Sequence, residues 1–299
     1  VEVTTVRLAL LVPGGSGQLG RDLAALAGPE LEVVAPASAE LDVRSAGSVV
    51  VAVDALVSRA AASGAVPIVV NASAYTSVDA AEADEVRAFA VNADGPRVLA
   101  AVCSSRRVPL VHVSTDYVFP GDGSSPYEAT DALRPLGAYG RTKAAGEDAV
   151  LGSGASAWVV RTSWVYGKHG ANFVKTIQRL EGEREQLTVV DDQVGSPTWA
   201  ADLAGGLVEL ARRIAAGEGP ESRVLHCTGA GETSWWGFAR AIFEEIGADP
   251  ERVGACTTEE FPRPAPRPKY SVLSNASWRA AGLKPLRNWR EALSAYFAE

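Results

Sequence analysis

The feature that most constrains this chain is the run Gly14-Gly15-Ser16-Gly17-Gln18-Leu19-Gly20, which follows the apolar segment Arg7–Val12 and opens a helix-like segment at Leu19–Ala27. A short apolar run that stops at Pro13-Gly14-Gly15 reads as a buried parallel strand entering a tight turn. Glycines spaced as Gly14, Gly17 and Gly20 let the backbone turn, approach a pyrophosphate closely and pack the helix onto the strand. The helix N-terminus then attracts the anion. In a strand-turn-helix at this place the pattern predicts dinucleotide binding rather than an ordinary glycine turn.

Apolar runs of the same kind recur at Leu31–Ala35, Ile68–Asn71, Leu110–Ser114, Trp158–Thr162, Leu187–Val190 and Val224–Cys227, with helix-like segments between most of them. This alternation predicts an α/β fold, a doubly wound parallel sheet of the Rossmann type with a smaller C-terminal substrate-binding lobe. A chain of 299 residues, 47% of them apolar, is long enough for both. Residues 1–163 are expected to be mainly the dinucleotide-binding domain. Residues 164–299 are expected to be mainly the lobe, with segments at about 187–228 returning to the sheet. Within Ala81–Arg107, Val86, Phe89, Ala90 and Leu99 recur at roughly helical spacing and read as core, around a break at Gly95-Pro96. The segment Phe261–Pro268 alternates proline and cannot be helix or central strand; it is a linker or a surface-lying substrate loop.

A net charge of −8 with the acidic residues spread along the chain argues against nucleic acid or an anionic membrane as partner. No run is read as approaching the roughly 18 apolar residues of a membrane span, and Val6–Pro13 is too short for a signal peptide. A cytoplasmic protein is expected. Cys103, Cys227 and Cys256 form no CxxC pair and read as free thiols. His112, His169 and His226 show no HxxxH or HExxH spacing, so no metal site is assigned.

Thr115 and Asp116 follow a predicted strand, and Tyr139 and Lys143 stand four apart where a predicted helix opens, on one helical face. A nearby ammonium favours the phenolate and would lower the Tyr139 pKa, making the phenol a usable proton donor to a carbonyl oxygen. Thr115 could hydrogen-bond the same oxygen. A YxxxK alone is usually a solvated helix face; a strand-end hydroxyl and the glycine turn together make Tyr139, Lys143 and Thr115 the expected catalytic set.

These residues, with NASAYTSVDAAE at 71–82, VSTDYVFPGDG at 113–123, YGRTKAAGE at 139–147, RTSWVYG at 161–167, NFVKT at 172–176, DDQVGSPT at 191–198 and RPAPRPKYSVL at 263–273, carry a resemblance over nearly the whole chain. The sequence resembles the extended short-chain dehydrogenase/reductases, and within them the dTDP-4-dehydrorhamnose reductases. The resemblance implies reduction of the C4 ketone of dTDP-4-dehydro-L-rhamnose to dTDP-L-rhamnose by NADPH or NADH. It places Gly14, Gly17, Gln18, Leu19 and Gly20 at the cofactor phosphates, Asp42 and Val43 near its adenosine, and Ser73, Ala74 and Tyr75 along it. Tyr139 is the implied proton donor and Lys143 holds the nicotinamide ribose. Thr115, Asp116, Trp164, Asn172 and Arg267 are implied on the substrate side, with the Ser196-Pro197-Thr198 turn.

The second strand ends in Ala35-Pro36-Ala37-Ser38, with no acid for the adenosine ribose and only Arg21 near for a 2′-phosphate, so both cofactors stay open. Pro13 stands where the family commonly has threonine. Some family members dimerise round a magnesium ion; Asp22 and Ala201 occupy the corresponding positions, so a homodimer is compatible with the resemblance but a metal-bridged one is not expected. Two alternatives are carried: a 4-ketoreductase for another dTDP-deoxysugar of antibiotic-type pathways, and a non-catalytic regulatory subunit of a methionine adenosyltransferase.

Overall fold

In the strand Leu8–Leu11 (β1), Leu8 and Leu10 enter one apolar core and Ala9 and Leu11 enter another, each at most 2% exposed. A strand buried on both faces needs helices on both sides, which is why it is apolar throughout rather than alternating. The computed structural model describes residues 6–299. In it β1 lies in a six-stranded, wholly parallel sheet with β2 (Leu31–Val34), β3 (Val66–Asn71), β4 (Leu110–Thr115), β5 (Ala157–Thr162) and β6 (Val224–His226). The spatial order is β6-β5-β4-β3-β1-β2. The helices Gln18–Ala25 and Ala200–Ala215 cover one face; Ala46–Ser63 and Gly95–Arg106 cover the other.

Strand order reverses between β1 and β3, and at such a switch point the loops leaving neighbouring strands diverge and open a crevice at their carboxyl ends. The glycine turn after β1 and the segment Ala72–Tyr75 after β3 flank it. A smaller core gathers Ile177, Phe238, Ile242 and Leu293 from helices Phe173–Glu183, Trp235–Glu245 and Trp289–Ala298 with Tyr166 and Trp199 from the paired short strands Val165–Tyr166 and Thr198–Trp199.

The fold departs from four expectations of the sequence. Leu187–Val190 does not return to the central sheet; it pairs in parallel with Val253–Cys256 in the smaller core, while Ala200–Ala215 and Val224–His226 do pack on or join the large sheet. No break occurs at Gly95-Pro96: Glu85–Phe89, a π-helical turn at Ala90–Asp94 and Gly95–Arg106 follow one another without a gap, and the wider turn falls just before Pro96, which has no N–H to give. Val86 and Phe89 are not core residues: they are 84% and 38% exposed, whereas Leu99 is fully buried. Ala46–Ser63 does reach the length and apolarity of a membrane span, at a mean hydropathy of 1.4 over 18 residues. In the fold it presents Val49, Val53, Leu56 and Ala60 to the sheet and leaves Asp54 and Arg59 outward.

The first turn is held by backbone contact. A Cβ on Gly15 would stand 1.9 Å from the Ala35 carbonyl oxygen, and one on Gly20 would stand 2.3 Å from that of Gly14. Gly14 itself has φ +88°, open to glycine and strained for other residues. Gly205, exposed in the helix Ala200–Ala215, has no neighbour within 4 Å of its Cβ position. Gly15→Ala should therefore destabilise the protein by about 1–3 kcal/mol, whereas Gly205→Ala should stabilise it by about 0.5–1 kcal/mol. Urea melts of the two variants check both signs.

Candidate active site

The cleft at the switch point has a volume of about 990 Å³. Its floor begins at the glycine turn. No side chain caps the helix Gln18–Ala25 at Gly17, and its first turn carries no acidic residue. Uncapped amides at the positive end of a helix suit an anion. Gly14, Gly17, Gln18, Leu19 and Gly20 all line this part.

Asp42, Val43 and Ser38 line the outer end, where β2 finishes. Arg44 lies there too, clasping the Asp42 carboxylate through Nε and Nη2 at 2.9 Å each and holding its pKa below the usual range. Arg21, the basic residue the sequence offers for a phosphate, instead donates to the Ser16 carbonyl at 3.2 Å.

Ser73, Ala74 and Tyr75 form the wall after β3. Ser73 is fixed by Asn71, whose Oδ1 accepts from the Ser73 amide at 3.1 Å and hydroxyl at 2.6 Å. Asn71 Nδ2 in turn donates to His112 Nδ1 at 3.0 Å, so the His112 proton sits on Nε2. Asn92, within the π turn, accepts from the Tyr75 amide at 2.8 Å and donates to the Tyr75 carbonyl at 3.1 Å and the Thr142 hydroxyl at 3.0 Å. The sequence reading passes over Asn92; its signal is an amide side chain beside the Gly95-Pro96 pair on an otherwise apolar helix face.

Thr115, Tyr139 and Lys143 all line the cleft. The Thr115 hydroxyl donates to Asp116 Oδ1 at 2.9 Å and accepts from the Tyr117 amide at 3.2 Å. Lys143 Nζ donates to the Val113 carbonyl at 2.6 Å. Burial draws the Lys143 pKa down to about 8, against the pull of Glu147. Burial likewise raises Asp116 to about 6.

The Tyr139 pKa is not lowered as the sequence suggests. Burial raises it, Asp116 and Tyr117 add to the rise, and only the Thr115 hydroxyl works against it. Tyr139 thus stays a protonated phenol at neutral pH. That is the form a proton donor must hold before reaction.

Trp164 lines the cleft with φ +46°, stacked on Trp235 at 3.5 Å between ring centroids and 4° between planes. Trp235 was not foreseen; it follows Thr233-Ser234 in a stretch with no motif signal. Arg267 and Asn172 do not line the cleft. Arg267 Nη2 binds Asp79 Oδ1 at 2.8 Å, and its guanidinium lies 5.9 Å from the Tyr117 ring centroid. Asn172 caps the helix Phe173–Glu183, and its Nδ2 donates to Gln18 Oε1 at 2.9 Å and the Gly167 carbonyl at 2.8 Å. Its amide donors are thereby engaged with protein.

The sequence model of the family described as RmlD substrate binding domain matches residues 8–299. The chain is 46% identical over 305 residues to a dTDP-4-dehydrorhamnose reductase of Mycobacterium tuberculosis, covering 97% of this chain and 92% of that one. It is 45% identical over 289 residues to a dTDP-4-keto-6-deoxy-D-glucose reductase of Streptomyces niveus, covering 96% of each. Among solved structures it matches the dTDP-4-dehydrorhamnose reductase of Bacillus anthracis in complex with NADP at a TM-score of 0.87 and 34% identity, covering 98% of this chain and 99% of that one.

Asn172→Asp keeps the helix cap and deletes both amide donors, so folding should stay near wild type while NADPH affinity falls through the loosened Gln18. Asn172→Ala removes the cap as well and should lose about 1 kcal/mol of stability. Cofactor fluorescence titration beside thermal melts measures the two effects; unchanged affinity in Asn172→Asp would leave the residue a helix cap only.

Proposed function

The chain belongs to the family of the RmlD substrate binding domain, and on that premise we propose that it reduces the C4 ketone of dTDP-4-dehydro-L-rhamnose to dTDP-L-rhamnose with NADPH or NADH. The observation that carries the reading is the meeting of Thr115, buried Lys143 and a protonated Tyr139 in the cleft that begins at an uncapped glycine turn. The glycine turn, Ser73, Ala74 and Tyr75 suit a dinucleotide, which when bound supplies the hydride.

The protein's own part is to place the ketone and hand it a proton. Tyr139 donates its phenolic proton to the C4 oxygen as negative charge develops there. Thr115, held by its bond to Asp116, is the hydroxyl that favours the phenolate Tyr139 becomes. The Lys143 ammonium stabilises the phenolate that Tyr139 becomes, and holds the ribose of the dinucleotide. Asp116 and Trp164 face the sugar. Arg267 serves the diphosphate side from behind Tyr117; its Nη1 is buried without a partner among the described residues.

The near-equal likeness to the Streptomyces niveus enzyme favours a second reading, a 4-ketoreductase for another dTDP-deoxysugar. The two readings share every catalytic residue and differ only in the sugar.

Turnover of a panel of dTDP-4-keto sugars with each cofactor separates them: dTDP-4-dehydro-L-rhamnose should give the highest kcat/KM. Tyr139→Phe should keep fold and cofactor affinity and lower kcat by about 10²–10⁴-fold with a much smaller change in KM. A Tyr139→Phe enzyme as fast as wild type, or a wild-type protein that binds cofactor and reduces none of the sugars, overturns the ketoreductase and favours a binding subunit.

A further inference from the structure

Behind Tyr139 lies a buried chain of charged groups that the steps above do not involve. Lys143 and Glu147 stand four apart on the buried face of the helix Ala138–Leu151. Arg161, from β5, meets the Glu147 carboxylate through Nη2 at 2.7 Å and through Nε at 3.0 and 3.1 Å. Both side chains are nearly sealed from solvent, at 4% and 1% exposure. Ser114, from β4, donates its hydroxyl to the same carboxylate. One residue earlier on that strand is Val113, whose carbonyl receives the Lys143 ammonium.

We propose that Glu147 is a positioning residue for Lys143: through Ser114 it fixes the strand end whose Val113 carbonyl receives the ammonium, and it places a carboxylate one helical turn from that ammonium on the same buried face. The helix supplies the spacing and the two strands supply the grips. Burial works against a charged Lys143, and the Glu147 carboxylate is the group that opposes it. The other groups packed round the ammonium do not take that part. His112, from β4, is held neutral by burial and by Lys143 itself. Arg161, from β5, is directed at Glu147, the Ala129 carbonyl at 3.2 Å and His226 Nε2 at 3.3 Å. Tyr139, on the same helix, stays protonated, and Asp116, past the end of β4, acts on Tyr139.

Only the activity readout of this inference rests on the ketoreductase reading. The test uses the full chain labelled with ¹⁵N-lysine, the Lys143 Nζ resonance being assigned by its loss in Lys143→Arg. In Glu147→Gln the amide oxygen can still accept from Arg161 and the amide nitrogen can donate to Ser114 Oγ, but the two-pronged grip and the charge are gone. The titration midpoint of Lys143 should then fall by about 1 pH unit or more, and the alkaline limb of kcat should move to lower pH with it, with KM for the sugar nucleotide little changed. A second variant guards against a folding defect. Replacing both partners, Glu147→Met with Arg161→Met, removes the buried pair without leaving one charge alone, and such exchanges often preserve the fold. Its melt should approach wild type while the Lys143 midpoint stays lowered. An unchanged midpoint in Glu147→Gln, or a midpoint that returns with the melt in the double variant, overturns the proposal and leaves Glu147 a purely structural ion. A wild-type protein that turns over no sugar would overturn the ketoreductase reading instead, and would leave the resonance measurement standing.

Discussion

The ion pair between Glu147 and Arg161 is the interaction on which the placement of the reactive groups depends. Taking two charges out of water costs several kcal/mol per ion, and their mutual attraction offsets this only when the remaining donors and acceptors are also satisfied. Here they are. Ser114 serves the carboxylate, while Ala129 and His226 serve the guanidinium. Burial and the neighbouring Arg161 push His226 down to about 3, so it is neutral; with Nδ1 directed at the Ser274 carbonyl, Nε2 is free to accept. The face of the guanidinium lies 5.0 Å from the Phe119 ring centroid. One pair thus joins the helix Ala138–Leu151 to β4, β5 and β6.

From that junction the geometry of the cleft follows. β4 and β5 are held in register as far as Thr115 opposite Thr162, so the carboxyl end of β4 has little freedom. Val113, Ser114 and Thr115 in succession grip the ammonium, the carboxylate and Asp116. A strand alternates its side chains, so Ser114 and Thr115 reach partners on opposite faces of β4, and Val113 acts through its backbone carbonyl. The result is a phenol kept protonated by burial beside an ammonium weakened by burial. Each group is shifted toward its neutral form by the same loss of water. A proton leaving Tyr139 therefore creates a charge pair where there was one cation, and the attraction between its two members grows as the surroundings become drier.

Much of this was legible in the sequence wherever local chemistry sets the structure. The glycine turn, the parallel strands and the Tyr139–Lys143 spacing depend on nearest neighbours or on one helix face. What was not legible depends on distant approach. Gly15 falls outside the counted glycine spacing, yet it sits against Ala35 at the end of another strand and has the least room of the turn glycines. Asn92 reads as an ordinary polar helix residue until the π turn aims it at Tyr75 and Thr142. The Tyr139 shift was misjudged because Lys143 is evident from the i, i+4 spacing, while the burial that outweighs it is a property of the assembled cleft. Leu187–Val190 has the composition of a sheet strand; only the packing of Val253–Cys256 beside it shows that a second small sheet takes it instead.

Trp164 shows how such distant packing can hold a local conformation that the residue alone disfavours. A left-handed backbone at a bulky residue costs on the order of 1–3 kcal/mol, and it persists only where the surroundings over-determine it. Two neighbours do so. Trp235 lies flat on the indole, and Gly195 approaches it so closely that a Cβ there would fall 2.4 Å from the ring. Gly195 is paired with Thr233 across a short antiparallel ladder, which ties the glycine to the turn leading into Trp235. The indole is consequently clamped by two segments that are themselves clamped to each other. Rotating Trp164 out of the cleft would have to break a stack, a close backbone contact and their shared ladder together, so the strain is held in the wall of the cleft.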